Sequence, residues 1–349
     1  MKKFVNRVIY VYNSESMWMI RGFSMIRLLF ALCGLWILPV AAMLFLKASN
    51  RKVTLAAGYI CGAIVNLTVF SLCIRSMSEN MKEPGLLPLK AVLGVVFIEI
   101  LVFLIVVCTR CVREKKWIGF ARLFYMEQSG GFRFGRWETV FFIIACVIWI
   151  LGATSYLRYV PEGAVTMMAD INRLDFFGLT NADPMIMLGY YLKKLFGISQ
   201  ADAVCIVIPL SFYAAFVAVM WEIAGALFES EPLKKSLCFL AESVLVVVGD
   251  CLYTQPYMVL HGLNHMNNVL FVLCVPLVFA IGLRFYQSGE NAEGKGPRMW
   301  GYWFTFAVCV LSTYLFEQRA FALIGLNAVI FVLLFVGRRY LPWLQSSKS

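Results

Sequence analysis

Charge is scarce in this 349-residue sequence: Asp, Glu, Lys and Arg together make up 15% of it. A soluble domain carries about 25%. Disorder needs low hydrophobicity and abundant charge, so a disordered chain is excluded. Histidine is scarcer still, with only His261 and His265. No P-loop, Gly-rich dinucleotide motif or nucleophile elbow occurs. Internal repeats and low-complexity tracts are missing too, which removes solenoids and linker arrays. No polar interval is long enough for a separate soluble domain.

Apolar residues fill the space that charge leaves. Hydrophobic residues make up 61% of the chain, Phe alone occurs 29 times, and mean hydropathy is +0.78. A soluble fold of this length could not bury that much apolar surface, so a soluble globular enzyme is excluded. The 11 cysteines are odd in number. Most lie inside apolar runs (Cys33, Cys61, Cys73, Cys146, Cys205, Cys274, Cys309), where Cys behaves as a small hydrophobe. No disulfide scaffold follows. Net charge is +11, but the basic residues are scattered between hydrophobic runs. That pattern fits the Lys/Arg excess of cytoplasmic loops, and no nucleic-acid partner is expected.

A membrane-crossing helix needs about 20 mostly apolar residues. Nine stretches qualify: 28–46, 53–74, 91–109, 138–157, 203–228, 236–254, 266–283, 300–316 and 320–336. The expected fold is all-α, a polytopic transmembrane helical bundle of about nine spans with short interfacial helices. It divides into a three-span N-terminal region, 1–136, and a six-span core, 137–349, whose outer loop is 158–202. Only Glu317, Gln318 and Arg319 separate the last two runs, as in a tight helical hairpin. Residues 1–27 are too long, and carry Glu15 and several aromatics, for a cleavable signal peptide.

Lys and Arg set the orientation. The loop 110–136 holds Arg110, Arg113, Lys115, Lys116, Arg122, Arg133 and Arg136, which places it inside. Lys234, Lys235, Arg284, Lys295, Arg298, Arg338 and Arg339 then also fall inside. Residues 158–202, 255–265 and 317–319 fall outside. Residues 1–27 break the rule, since they land outside with Lys2, Lys3, Arg7, Arg21 and Arg27. Residues 110–126 mix basic residues with Trp117, Ile118, Phe120, Leu123 and Phe124, as a basic amphipathic surface helix does. Residues 184–197 are too short to span. Pro184 opens a helix at its first turn, and Lys193 and Lys194 snorkel while Met185, Leu188, Leu192, Leu195 and Phe196 face lipid or the bundle. The stretch 288–297, rich in Gly, reads as a flexible inner loop.

The outer side collects polar chemistry. Loop 158–202 carries Glu162, Asp170, Asn172, Arg173, Asp175, Asn181 and Asp183. Asp250 ends the sixth span, and Asn264, Asn267, Asn268 and both histidines follow it. A carboxylate beside Arg173 stays ionised and can accept a proton from a hydroxyl, which makes Asp170, Glu162 and Asp175 the candidate catalytic residues. The competing reading is a surface ion pair of small consequence. Arg173, Lys193, Lys194 and Arg319 are candidate substrate-binding cations, with His261, His265 and Asn267 lining the same site. On a helix, His261 and His265 would share one face. Such a pair can hold a divalent metal if Asp250 or Asp170 supplies a third ligand. The sequence names no other cofactor. Glu99 falls mid-span, where an ionisable group by default implies function. Glu222 and Glu242 are expected to reach the inner interface. Cys108 and Cys111 form a lone CxxC, and Asn66 heads a glycosylation pattern inside a span; neither carries an assignment.

The order of parts has a parallel. A span over 138–157 is followed by an acidic outer loop, then Asp183-Pro184-Met185-Ile186-Met187-Leu188-Gly189-Tyr190-Tyr191-Leu192-Lys193-Lys194-Leu195-Phe196-Gly197-Ile198-Ser199, then another span. This resembles the first-loop and surface-helix region of GT-C-type membrane glycosyltransferases. The stretch from His261 to Tyr286 is also similar to bacterial multi-spanning proteins of GT-C-like architecture. The likeness covers about 138–286. It implies transfer of a sugar from a polyprenyl-phosphate donor outside a bacterial cytoplasmic membrane, with the catalytic acid in the loop of Glu162, Asp170 and Asp175. This chain departs from the family in lacking a paired Asp-Asp or Asp-Glu motif and a C-terminal soluble domain. The alternatives are a transporter or flippase, which Glu99, Pro209 and Pro276 favour slightly, and a non-catalytic membrane assembly protein.

Overall fold

The computed structural model describes residues 135–158, 160–161, 163–177, 184–228, 231–249, 255–288 and 300–340, with helical positions at Leu101, Leu104, Ile105, Cys108 and Thr109. The first two expected spans, most of the third, the amphipathic segment 110–126, the loop 289–299, Glu99, Glu162 and Asp250 lie outside the described residues. No strand occurs among the described residues.

The helices are α1 (Arg136–Ala153), α2 (Ser155–Arg158), α3 (Ala164–Phe177), α4 (Pro184–Phe196), α5 (Gln200–Asp202), α6 (Ile208–Leu227), α7 (Pro232–Val248), α8 (Gln255–His261), α9 (Met266–Ser288), α10 (Trp300–Phe316) and α11 (Gln318–Tyr340). A π-helical turn, Ala203–Val207, joins α5 to α6. Three stretches are long and apolar enough to cross a membrane: Arg136–Ala153, Gln200–Leu227 and Met266–Tyr286. These are helices of a membrane protein. Each of the last six expected spans coincides with a helix, and a single non-helical residue, Glu317, divides α10 from α11.

Apolar side chains surround α6 because neighbours cover it on all sides, as expected of an all-round hydrophobic helix. It packs on α7 and α9, α1 packs on α7, and α10 and α11 pack on α9. Aromatic contacts give the helix directions. Trp149 meets Tyr213 and Phe216, whereas Phe142, two turns earlier, meets Trp221, so α1 and α6 are antiparallel. Phe142 stacks on Phe239 while Gly152 abuts Val247, so α7 runs with α1. The Glu222–Arg284 ion pair bridges the ends of α6 and α9. The outward faces of α1 and α11 remain apolar, with Ile143, Val147, Ile150, Leu326, Val329 and Leu333 exposed. Such faces suit hydrocarbon and not water.

The π turn has a local cause. Pro209 lacks an N–H and its ring clashes with the carbonyl four residues back. The chain answers with a wider turn, in which the Ile208 N–H reaches the Ala203 carbonyl five residues back. That turn receives α2, α3 and α4.

The stretch read as an acidic outer loop contains a helix, α3. Ala164, Met167 and Ile171 recur at helical spacing and are buried, but Asp170, Asn172, Arg173 and Asp175 dilute the pattern.

Candidate functional site

Between the long helices α1 and α5–α6 lie three short ones, α2, α3 and α4, of which α3 and α4 form a layer. Pro184 opens α4 at its first position. Gly197, at φ +60, closes it, donating its N–H to the Lys193 carbonyl at 3.1 Å. Ser199 then caps the next helix by accepting the Asp202 N–H. Met185, Leu188, Tyr190 and Leu192 are buried, so the apolar side of α4 faces the bundle. Gly189 lets α3 and α4 touch: a Cβ there would lie 2.5 Å from Ile171 Cδ1.

The exposed side of this layer is polar. Arg173 and Asp170 pair at 3.3 Å on adjacent turns of α3. The Asn172 side-chain oxygen accepts from the Lys193 ammonium at 3.4 Å and from the Gln200 side-chain amide. One oxygen thereby ties α3, α4 and α5 together. Lys194 turns away, over the Tyr190 ring at 5.4 Å. Asp175 follows Asp170 by five residues, about 140° round the helix at about 100° per residue, so the two do not share a face.

The second half of the site is α8 and its exit. Tyr156 donates its hydroxyl hydrogen to the Val259 carbonyl, and Ser155 donates to the Leu260 carbonyl at 3.3 Å. These bonds fix α8 to α2. The two histidines do not share a helix, because α8 ends at His261 and α9 begins at Met266. Gly262 closes α8 and its carbonyl accepts from the His265 N–H and the Asn268 side-chain amide, each at 3.1 Å. The His261 ring lies tilted against Tyr257, with centroids 5.0 Å apart. The His265 ring lies against Gly163, where a Cβ would come within 2.6 Å of it. Gly163 directly precedes α3, so His265 sits at the N-terminal end of that helix. Asp170 lies six residues further on from Ala164, about 9 Å along the axis.

Arg319 is exposed at the α10–α11 junction, and its backbone N–H donates to the Glu317 carboxylate at 3.1 Å. Phe331 meets Phe279 and Gly282, and Asn327, one turn earlier, shares a cavity with Val275 and Pro276. So α9 and α11 run in the same direction. Counting back twelve residues from Phe331 and from Gly282 puts Arg319 level with Leu270, one turn from the exposed Asn267. The structure thus joins Asp170 with Arg173, and Lys193 with Asn172, and sets His265 at the start of α3. It brings Arg319 to the same end of the bundle as Asn267.

Gln200, Tyr156 and Gly163 were not legible as site residues, since none stands in a motif. Among the described residues, no three His, Cys, Asp or Glu side chains converge to hold a metal. Glu222 is buried against Arg284 at 2.9 Å near the ends of α6 and α9, and Glu242 lines a cavity. No family model, curated protein or solved structure matches the chain.

Proposed function

We propose that this chain is a multi-pass protein of a bacterial cytoplasmic membrane that transfers a sugar from a polyprenyl-phosphate donor at the extracytoplasmic face. The observation that carries the reading is the α3–α4 layer: two short helices set between long apolar ones, apolar side inward, with the Asp170–Arg173 ion pair on one flank of α3 and the Lys193–Asn172 contact on the other. A lipid-linked phosphate needs cations at the membrane surface, and an attacking hydroxyl needs a base nearby. In this reading Asp170 takes the proton of the acceptor hydroxyl as that oxygen bonds the sugar carbon, and the phosphate leaves with the electron pair. Arg173 and Lys193 stabilise the charge that gathers on it. The GT-C resemblance over 138–286 and the lack of Lys and Arg in 255–265 support the sidedness.

The test is sugar transfer in membranes from a polyprenyl-phosphate donor. Loss of a general base costs about 10²–10⁴ in rate, so Asp170→Asn loses most transfer while the protein stays inserted. Full activity in Asp170→Asn excludes that residue as base. Full activity in Glu162→Gln and Asp175→Asn as well removes the enzyme reading.

A further inference from the structure

A cavity of about 480 Å³ lies between α6, α7, α9 and α11, with Pro256 of α8 also in its lining and no residue of α3 or α4. That volume is within the range of small-molecule sites, about 300–1,000 Å³. Three phenyl groups line it, Phe216, Phe271 and Phe279, with further aliphatic side chains and two prolines. Its polar lining is two residues, Glu242 and Asn327. Among the described residues no Lys, Arg or His lines it.

Glu242 is the unusual member. One carboxyl oxygen accepts a weak bond from the Cys238 thiol at 3.8 Å. The other, Oε2, is buried and makes no hydrogen bond. Burying such an oxygen without a donor is costly, and burying the carboxylate without a counter-charge more so. An acyl chain entering from the bilayer would fill the volume and leave that oxygen unsatisfied. A water would satisfy it but has few polar groups to hold it among aromatic and aliphatic walls. An ammonium group carried on a hydrocarbon body answers every feature at once. It donates to Oε2, neutralises the single carboxylate, meets the faces of phenyl rings, which attract cations, and buries its tail.

We propose that this cavity is a binding site for an amphiphilic monovalent ammonium, with Glu242 as its counter-ion. The proposal is independent of the transfer reading, because none of its residues belongs to α3 or α4, and of α8 only Pro256 lines the cavity, well short of His261. Leu245 stands at the mouth, lining the cavity while 67% exposed, so the ligand enters from the surrounding hydrocarbon.

The experiment uses the full chain in lipid nanodiscs with tritiated dodecylamine as probe, read by scintillation proximity. Saturable binding is expected, displaced by unlabelled dodecylamine and not by dodecanol, which has the same chain without the charge. Glu242→Gln keeps the shape and removes the charge, and it should weaken binding by about tenfold or more. Leu245→Trp narrows the mouth from an exposed position and should weaken binding with the charge intact. Absence of saturable binding overturns the proposal. So does equal displacement by dodecanol, which would mean hydrocarbon filling alone. Wild-type affinity in Glu242→Gln overturns it too. If Glu242→Gln fails to give monodisperse protein, Leu245→Trp decides, and unchanged affinity there overturns the site.

Discussion

Arg284 donates its Nε hydrogen to the Glu222 carboxylate at 2.9 Å, joining α9 to α6 with both side chains largely buried. Beside them Lys235 lies over the Trp221 ring at 4.0 Å. Gly225 leaves room for both cations, since a Cβ there would lie 3.0 Å from the Lys235 Nζ.

Removing one member of such a pair strands the other, at a cost of about 3–5 kcal/mol. Arg284→Ala should therefore lower the melting temperature of the purified protein sharply. Replacing both, Glu222→Met with Arg284→Met, should recover much of that loss, because no charge is left stranded. Thermal unfolding followed by size-exclusion chromatography measures this. A double variant as unstable as the sum of the singles would refute it.

Gly163 offers a second test. Its φ of +71 disfavours any side chain by about 1–2 kcal/mol. A Cβ would also strike the His265 ring. Gly163→Ala should destabilise by more than the backbone strain alone. In the His265→Ala background the same change should cost only the strain, so a double-mutant cycle reads a coupling between the two sites. Additive effects would mean that the ring does not press on this turn.

Sidedness is tested at two exposed cations. Single cysteines at Arg173 and Lys234, in a background cleared of native cysteines, should react with a membrane-impermeant maleimide from opposite sides. Arg173→Cys should label in intact cells and Lys234→Cys only after permeabilisation. Labelling of both from one side would overturn the orientation read from Lys and Arg.

The shared acceptor at Asn172 predicts a third effect. Asn172→Leu removes the oxygen that joins Lys193 and Gln200. Exposed bonds of this kind contribute about 1 kcal/mol each at most, so global stability should change little. Sugar transfer should fall more than stability, because Lys193 loses its fixed position beside α3. Equal transfer by wild type and Asn172→Leu would show that Lys193 needs no such anchor.

Much of this architecture was legible from hydropathy alone. The long apolar runs from 138 onward became helices because a bilayer-length hydrophobic run leaves the backbone few other choices. Helix α4 was legible from Pro184 and Gly197, which act locally. Helix α3 was hidden, because its buried face needs only Ala164, Met167 and Ile171, and polar residues crowd the rest. The histidine pair misled for the opposite reason. Spacing of four suggests one helical face, but Gly262 ends α8 between them. Contacts between distant segments, such as Tyr156 with Val259 or Gln200 with Asn172, leave no trace in either segment's own pattern.

The π turn at Ala203–Val207 sets a phase within one continuous helix. One extra residue shifts the angular position of everything before it by about 100° relative to a regular helix. The face that Gln200 shows to Asn172 is thereby turned by about 100°, relative to the face that Tyr213 shows to Trp149, from where a regular helix would set it. The rod is keyed twice, once for the surface layer and once for the bundle, with Pro209 holding the two settings apart. Deleting a single residue within 203–207 would leave every side chain downstream in place and rotate the surface layer's anchor away from its partner.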